Sequence, residues 1–263
     1  MLLSIILPLA IISFIIAALY SNLGLGGGIM YVPALILIGQ LGKDSAVAVS
    51  LCLVLAGSLA ALYQHNKAGN VDMKLVGYLS VGSGIGAVFG SFFNLNIGEE
   101  TFRWLFLAVI LGLSAWMVID LFRSLRPDCD DDSKMCTPYL GAAVGIAVFA
   151  GFLSGAFGIG GGALLVPALI YVLCRHVKLA VGTSAATIVP TTLVGATMYF
   201  IGGFGQLSGD TWQFILVLAP ISFIGAFLGT KAGIARLTGK QIKTAFLVLT
   251  VLVAVIMVAE LFF

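Results

Sequence analysis

Two stretches of this chain set three consecutive glycines ahead of a proline. Gly24 to Ile36 reads GLGGGIMYVPALI, and Gly158 to Ile170 reads GIGGGALLVPALI. Each glycine triplet opens a short apolar run. A helix that starts there presents backbone N–H groups with no partner inside the helix, and a partial positive charge. Glycine lets a ligand come close to that backbone, so an oxyanion is the natural guest. The candidate donors are Gly26, Gly27 and Gly28 in the first stretch and Gly160, Gly161 and Gly162 in the second. No Lys or Arg falls in the middle of an apolar run, so backbone N–H groups would have to hold the charge.

Hydroxyls and amides near the triplets complete the candidate site. Ser21 and Asn22 precede the first, and Ser154 precedes the second. Ser184, Thr187 and Thr191 are three and four apart, on one face of a helix, and Thr183 and Thr192 extend that polar surface. Asn22, Thr183, Ser184 and Thr187 are the expected side-chain ligands. The competing use of such hydroxyls is helix–helix hydrogen bonding inside a membrane. Of the two histidines, His65 and His176, His65 sits in QHNKAGNVD, which reads as a polar loop. It reads either as a boundary residue or as a gate.

Several chemistries are absent. The triplets lack the GxGxxG spacing and the βαβ context of a dinucleotide site. No HExxH or GxSxG pattern occurs, so no catalytic residues, metal site or cofactor is expected and the chain does not read as an enzyme. Asp120, Asp210 and Glu260 fall near the ends of apolar runs, which leaves no proton relay inside a span. Cys129 and Cys136 flank the acidic loop DCDDDSKMC. A disulfide or a weak metal site is conceivable there, but the spacing fits no standard zinc pattern and a solvated loop is the plainer reading.

The elements that must position these residues are membrane helices. Charged residues make up 9% of the chain and apolar residues 60%, against about 25% charged in a soluble domain. Most of the surface must therefore face lipid. No basic stripe with interleaved aromatics suggests nucleic acid as a partner. The first apolar run lacks a basic leader and a clear cleavage site, so it reads as part of the mature fold rather than a signal peptide.

The two glycine stretches align without gaps, and the same offset pairs AVAVS, from Ala46, with AVGTS, from Ala180. The chain is read as a duplication: a first transmembrane repeat over 1–122, a cytoplasmic linker over 123–138 and a second repeat over 139–263. The apolar runs are 2–22, 27–40, 44–64, 75–96 and 103–122, then 139–156, 161–174, 179–202, 211–230 and 242–262. Most are long enough to cross about 30 Å of hydrocarbon. The second run of each half is too short and starts at the glycines, which predicts a broken or re-entrant hairpin. Irregular backbone at that depth needs protein or a water-filled cavity around it.

Charge orients this layout. With each hairpin returning to its starting side, Lys67, Lys74, Arg123, Arg126, Lys134, Arg175, Lys178, Lys231, Arg236, Lys240 and Lys243 share one side, and only Lys43 and Arg103 lie on the other. The rich side is assigned to the cytoplasm and both termini to the outside of the cell membrane. Five elements per half invert the second half relative to the first. The expected fold is thus an all-α membrane protein of two inverted repeats, each of five helical segments, with the two glycine turns approaching the midplane from opposite faces.

The duplicated G-x-GGG-x(4)-P pattern, the AVGTS stretch and the run His65-x-Lys67-x-Gly69-x-Val71-Asp72 resemble the TauE/SafE family over essentially the whole chain. The resemblance implies a transporter of small sulfur-containing anions (sulfite, thiosulfate or a sulfonate), most often a sulfite exporter, working in the lipid bilayer and open to assembly as a homo-oligomer. The first half departs from the pattern at Val49, where the second half has Thr183, so the halves would contribute unequally. The alternatives are an anion channel or a transporter of another small organic acid or sulfonate.

Overall fold

The computed structural model describes residues 2–123, 140–202 and 211–236, together with Val248. These form nine helices: α1 (Leu2–Tyr20), α2 (Gly28–Leu37), α3 (Lys43–Lys67), α4 (Met73–Leu95), α5 (Glu99–Arg123), α6 (Leu140–Phe157), α7 (Gly162–Tyr171), α8 (Val177–Gly202) and α9 (Thr211–Arg236). A single 3-10 turn, Ser21–Leu23, follows α1. There is no strand among the described residues. Nine of the ten expected apolar runs are therefore helices. The tenth, 242–262, and the linker with Cys129 and Cys136 lie outside the described residues, as do Asp210 and Glu260.

Six of these helices are long and apolar enough to cross a membrane: those containing Ile5–Leu23, Lys43–Lys67, Met73–Leu95, Leu140–Phe157, Val177–Gly202 and Thr211–Gly233. Their outward faces suit lipid. On α4, Val81, Ile85, Phe89 and Phe92 are all more than half exposed, at the spacing of one helix face. By contrast, α2 and α7 have 10 residues each, so each reaches only about 15 Å. Pro33 and Pro167 lie within these short helices rather than ending them.

Small residues let the long helices approach closely, the usual device where lipid gives no hydrophobic drive to association. The glycine face of α4 packs on α6: a Cβ on Gly86 would overlap the Val148 carbonyl, and one on Gly151 would overlap that of Ser83. Helix α9 packs on α1 in the same manner, with Gly229 against the Ala18 carbonyl. Helices α3 and α8 run through the centre. Most of their residues are buried, and they pack on each other as well as on α9 and α4 respectively.

Both short helices end in the same way. Gln40 and Cys174, at matching places in the two similar stretches, have positive φ values of 52° and 51°. The following residues, Leu41 and Arg175, bond back to the carbonyls of Leu35 and Leu169 at 3.2 and 3.0 Å. This closure turns the chain from α2 into α3 and from α7 into α8, and it fixes where the long central helices start.

Candidate functional site

The two glycine breaks meet in the protein interior, and every residue from Ser21 to Ile29 and from Leu153 to Leu165 is buried. Gly27 and Gly161 stand at the N-caps of α2 and α7 with φ values of 84° and 75°, a conformation that favours glycine. Neither helix start is capped by a side chain.

The breaks pass side by side. A Cβ on Gly28 would overlap the Gly158 carbonyl, and one on Gly162 would overlap the Gly24 carbonyl. Each helix start therefore abuts the opposite break. Two serines tie the crossing together. Ser50, on α3, donates to the Gly158 carbonyl at 2.9 Å, and Ser184, on α8, donates to the Gly24 carbonyl at 2.8 Å. Val54 and Ile188 fill the space alongside. The Cβ position of Gly26 lies 2.6 Å from Val54 Cγ1 and 3.7 Å from Ile188 Cγ2, and that of Gly160 lies 2.8 and 3.7 Å from the same atoms. Val54 and Ile188 are themselves a matched pair in the duplication, a signal that sequence reading could have used and did not.

The expected ligands thus divide into groups. Gly26, Gly27, Gly28, Gly160, Gly161, Gly162 and Ser184 belong to the crossing. Thr187 is fully buried on α8, its hydroxyl donating to the Thr183 carbonyl at 2.9 Å. Thr183 Oγ1 faces a different neighbour, accepting from the Asp72 N–H at 3.1 Å. Asn22 donates to the Ala18 carbonyl at 2.7 Å and sits where Gly233 of α9 lacks a side chain. Its Oδ1 is buried without a partner among the described residues.

His65 requires a correction to the loop reading. It occupies the last turn of α3 and is only 3% exposed. The cause is Gly182 on α8: the His65 Cβ lies 3.1 Å from where a Cβ on Gly182 would stand, so the missing side chain admits the ring. Neither ring nitrogen has a partner among the described residues. The surrounding corner is polar. Asp72 caps α4 by accepting from the Leu75 N–H at 3.1 Å, and its other oxygen accepts from Arg175 at 2.9 Å.

A second polar cluster, which sequence reading missed, lies at the opposite end of α3. Lys43 is 9% exposed and donates to Asp44 Oδ1 and to the Asn94 carbonyl, each at 2.8 Å. Asn94 Nδ2 donates to the Tyr199 hydroxyl, which donates to the Gly155 carbonyl at 2.9 Å. No group of three His, Cys, Asp or Glu side chains that could hold a metal occurs among the described residues.

Comparison with known proteins places the chain in a family. The family model described as "Sulfite exporter TauE/SafE" matches residues 9–257. The chain belongs to the TauE/SafE family. The chain is 30% identical to the "Probable membrane transporter protein YunE" of Bacillus subtilis (strain 168), over 94% of both chains. It is 29% identical to the "Probable membrane transporter protein MJ0441" of Methanocaldococcus jannaschii, over 84% of this chain and 81% of that one. It is 28% identical to the "Probable membrane transporter protein YdhB" of Bacillus subtilis (strain 168), over 84% and 87%. No solved structure matches the chain. The protein is a multi-pass membrane transporter of this family.

Proposed function

We propose that this TauE/SafE protein is a secondary transporter of small sulfur-containing oxyanions, sulfite first among them, exporting the anion across the cell membrane. The reading rests on one observation above all: two uncapped helix starts, at Gly28 and Gly162, buried side by side without a lysine or arginine between them. Backbone N–H groups there suit a small anion. The hydroxyl of Ser184 would join them, and Thr183, Thr187 and Asn22 would enter the site when the halves move.

In this reading the two halves are inverted repeats with both termini outside, and each glycine break is the tip of a re-entrant hairpin. The reciprocal bonds from Ser50 and Ser184 hold the breaks in a closed arrangement. Transport would part them on alternate sides. His65, buried beneath the α8 turn that contacts Gly24, is the gate on the cytoplasmic side. An inside-negative potential favours exit of an anion, so export needs no coupling ion.

A thermal-shift series on the purified protein with sulfite, thiosulfate, sulfate and organosulfonates tests the substrate class. Specific binding at 100 times the Kd adds about 2.7 kcal/mol of apparent stability. Stabilisation by sulfite above that by equal ionic strength of chloride is expected. Equal effects of all the anions would remove sulfite from the proposal. An anion channel, the rival reading, would pass sulfite without trans-stimulation.

A further inference from the structure

Lys43 and Arg103 are the two basic residues that charge counting leaves on the sparse side. They lie 60 positions apart, yet both line one cavity of about 290 Å³. It opens at the corner where α2 ends and α3 and α5 begin, and Gln40, Glu99 and Phe102 complete the polar and aromatic part of its wall. Glu99 and Arg103 are spaced i, i+4 in the order that favours a helix ion pair. They form none: neither side chain has an ion-pair partner among the described residues. Both are exposed and free to meet a solute.

Two routes connect this cavity to the second glycine break. The first is polar. Lys43 donates to the Asn94 carbonyl, Asn94 to Tyr199, and Tyr199 to the Gly155 carbonyl, three residues before Gly158. Asn94 Oδ1 is fully buried and has no partner along this route, an unmet acceptor of the kind a buried water satisfies. The second is apolar. The Phe102 ring, a wall of the cavity, lies 5.7 Å from the ring of Phe157, the residue immediately before Gly158. This ring contact links the cavity wall to the residue that precedes the break.

We propose that this cavity is a second anion site, the vestibule through which the transported anion passes on the side opposite the cytoplasm. Its role as a vestibule rests on the transporter reading above; its ability to bind an anion does not. Arg103 supplies the planar fork that holds an oxyanion through two parallel hydrogen bonds. Lys43 is paired with Asp44, so of the two cations lining the cavity Arg103 is the one left to face a ligand, and the Glu99 carboxylate on the same wall opposes a second negative charge. The class of ligand is therefore a singly charged oxyanion, bisulfite or a monosulfonate rather than sulfate. Glu99 acts as the charge filter.

The test uses the full chain in nanodiscs and isothermal titration with bisulfite, methanesulfonate and sulfate, for the wild type and for Arg103→Gln and Glu99→Gln. Both positions are exposed helix sites, so both variants should fold, with circular dichroism as the check. Arg103→Gln should weaken binding of the two monoanions about tenfold or more. Glu99→Gln should strengthen sulfate binding by a similar factor. Monoanion affinities unchanged in Arg103→Gln, or an absence of monoanion binding by the wild type, would overturn the vestibule. In oriented proteoliposomes, Arg103→Gln should raise the half-saturating bisulfite concentration only when bisulfite is offered on the face bearing residue 103. An equal rise on both faces would also overturn it. Bisulfite flux by the wild type that is lost in Gly161→Val but indifferent to Arg103→Gln would leave the transporter reading standing and remove this one.

Discussion

Ser184 donates to the carbonyl of Gly24 at 2.8 Å, joining the N-terminal third of α8 to the break between α1 and α2 across 160 positions of sequence. Ser50 makes the matching bond to Gly158 at 2.9 Å. A buried carbonyl that loses its donor costs about 1–3 kcal/mol. Ser184→Ala and Ser50→Ala should each lower apparent stability in nanodiscs by that amount. Because both bonds hold one crossing, the double variant should depart from additivity. Additive losses would mean that the two breaks are held independently.

The glycines at the crossing should be far less replaceable than those on the lipid face. A Cβ at Gly28 or Gly162 meets opposing backbone, whereas one at Gly84 or Gly145 meets nothing within 4 Å. Gly28→Ala and Gly162→Ala should give little folded protein. Gly84→Ala and Gly145→Ala should be neutral or stabilising by up to about 1 kcal/mol, since alanine loses less entropy in a helix. Yield and elution profile in detergent are sufficient readouts. Equal tolerance at all four sites would contradict the close approach.

Tyr199 bridges two groups, accepting from Asn94 and donating to Gly155. Tyr199→Phe keeps the ring, leaves the Asn94 amide without its acceptor and leaves the Gly155 carbonyl only the longer bond from Ser91, at 3.5 Å, at a cost of about 1–3 kcal/mol. A phenylalanine variant as stable as the wild type would show that water already serves this site. The same variant also breaks the polar route from the cavity at Arg103, so its effect on flux should exceed its effect on stability.

The sidedness proposed from the charge distribution is open to labelling. Ala68, in the corner between α3 and α4, should lie in the cytoplasm, and Gly98, between α4 and α5, outside. Both are exposed. In whole cells an impermeant maleimide should label Gly98→Cys and spare Ala68→Cys. The reverse pattern would invert the assigned topology.

Much of the fold was legible because its determinants are local. Glycine triplets stop and restart a helix where they stand, and apolar runs of about 20 residues declare themselves without any partner. The short lengths of α2 and α7 could likewise be read from where the glycines fall. The site was legible only in part, because its contacts are not local. Nothing near His65 shows that Gly182 makes room for its ring, so a polar stretch of sequence hid a buried side chain. Nothing near Lys43 points to Arg103 or Tyr199. Nothing near Thr183 in the sequence shows that its hydroxyl accepts from the backbone N–H of Asp72, 111 positions away.

The most direct measurement is sulfite counterflow in proteoliposomes. Vesicles preloaded with unlabelled sulfite and diluted into a trace of labelled sulfite should take up label faster than empty vesicles and pass through a transient overshoot. Gly161→Val should abolish it, because Gly161 has a φ of 75° and its Cβ position lies 2.9 Å from the Ala150 carbonyl oxygen. Uptake of label by the wild type that is the same in loaded and empty vesicles would contradict carriage of sulfite by alternating access.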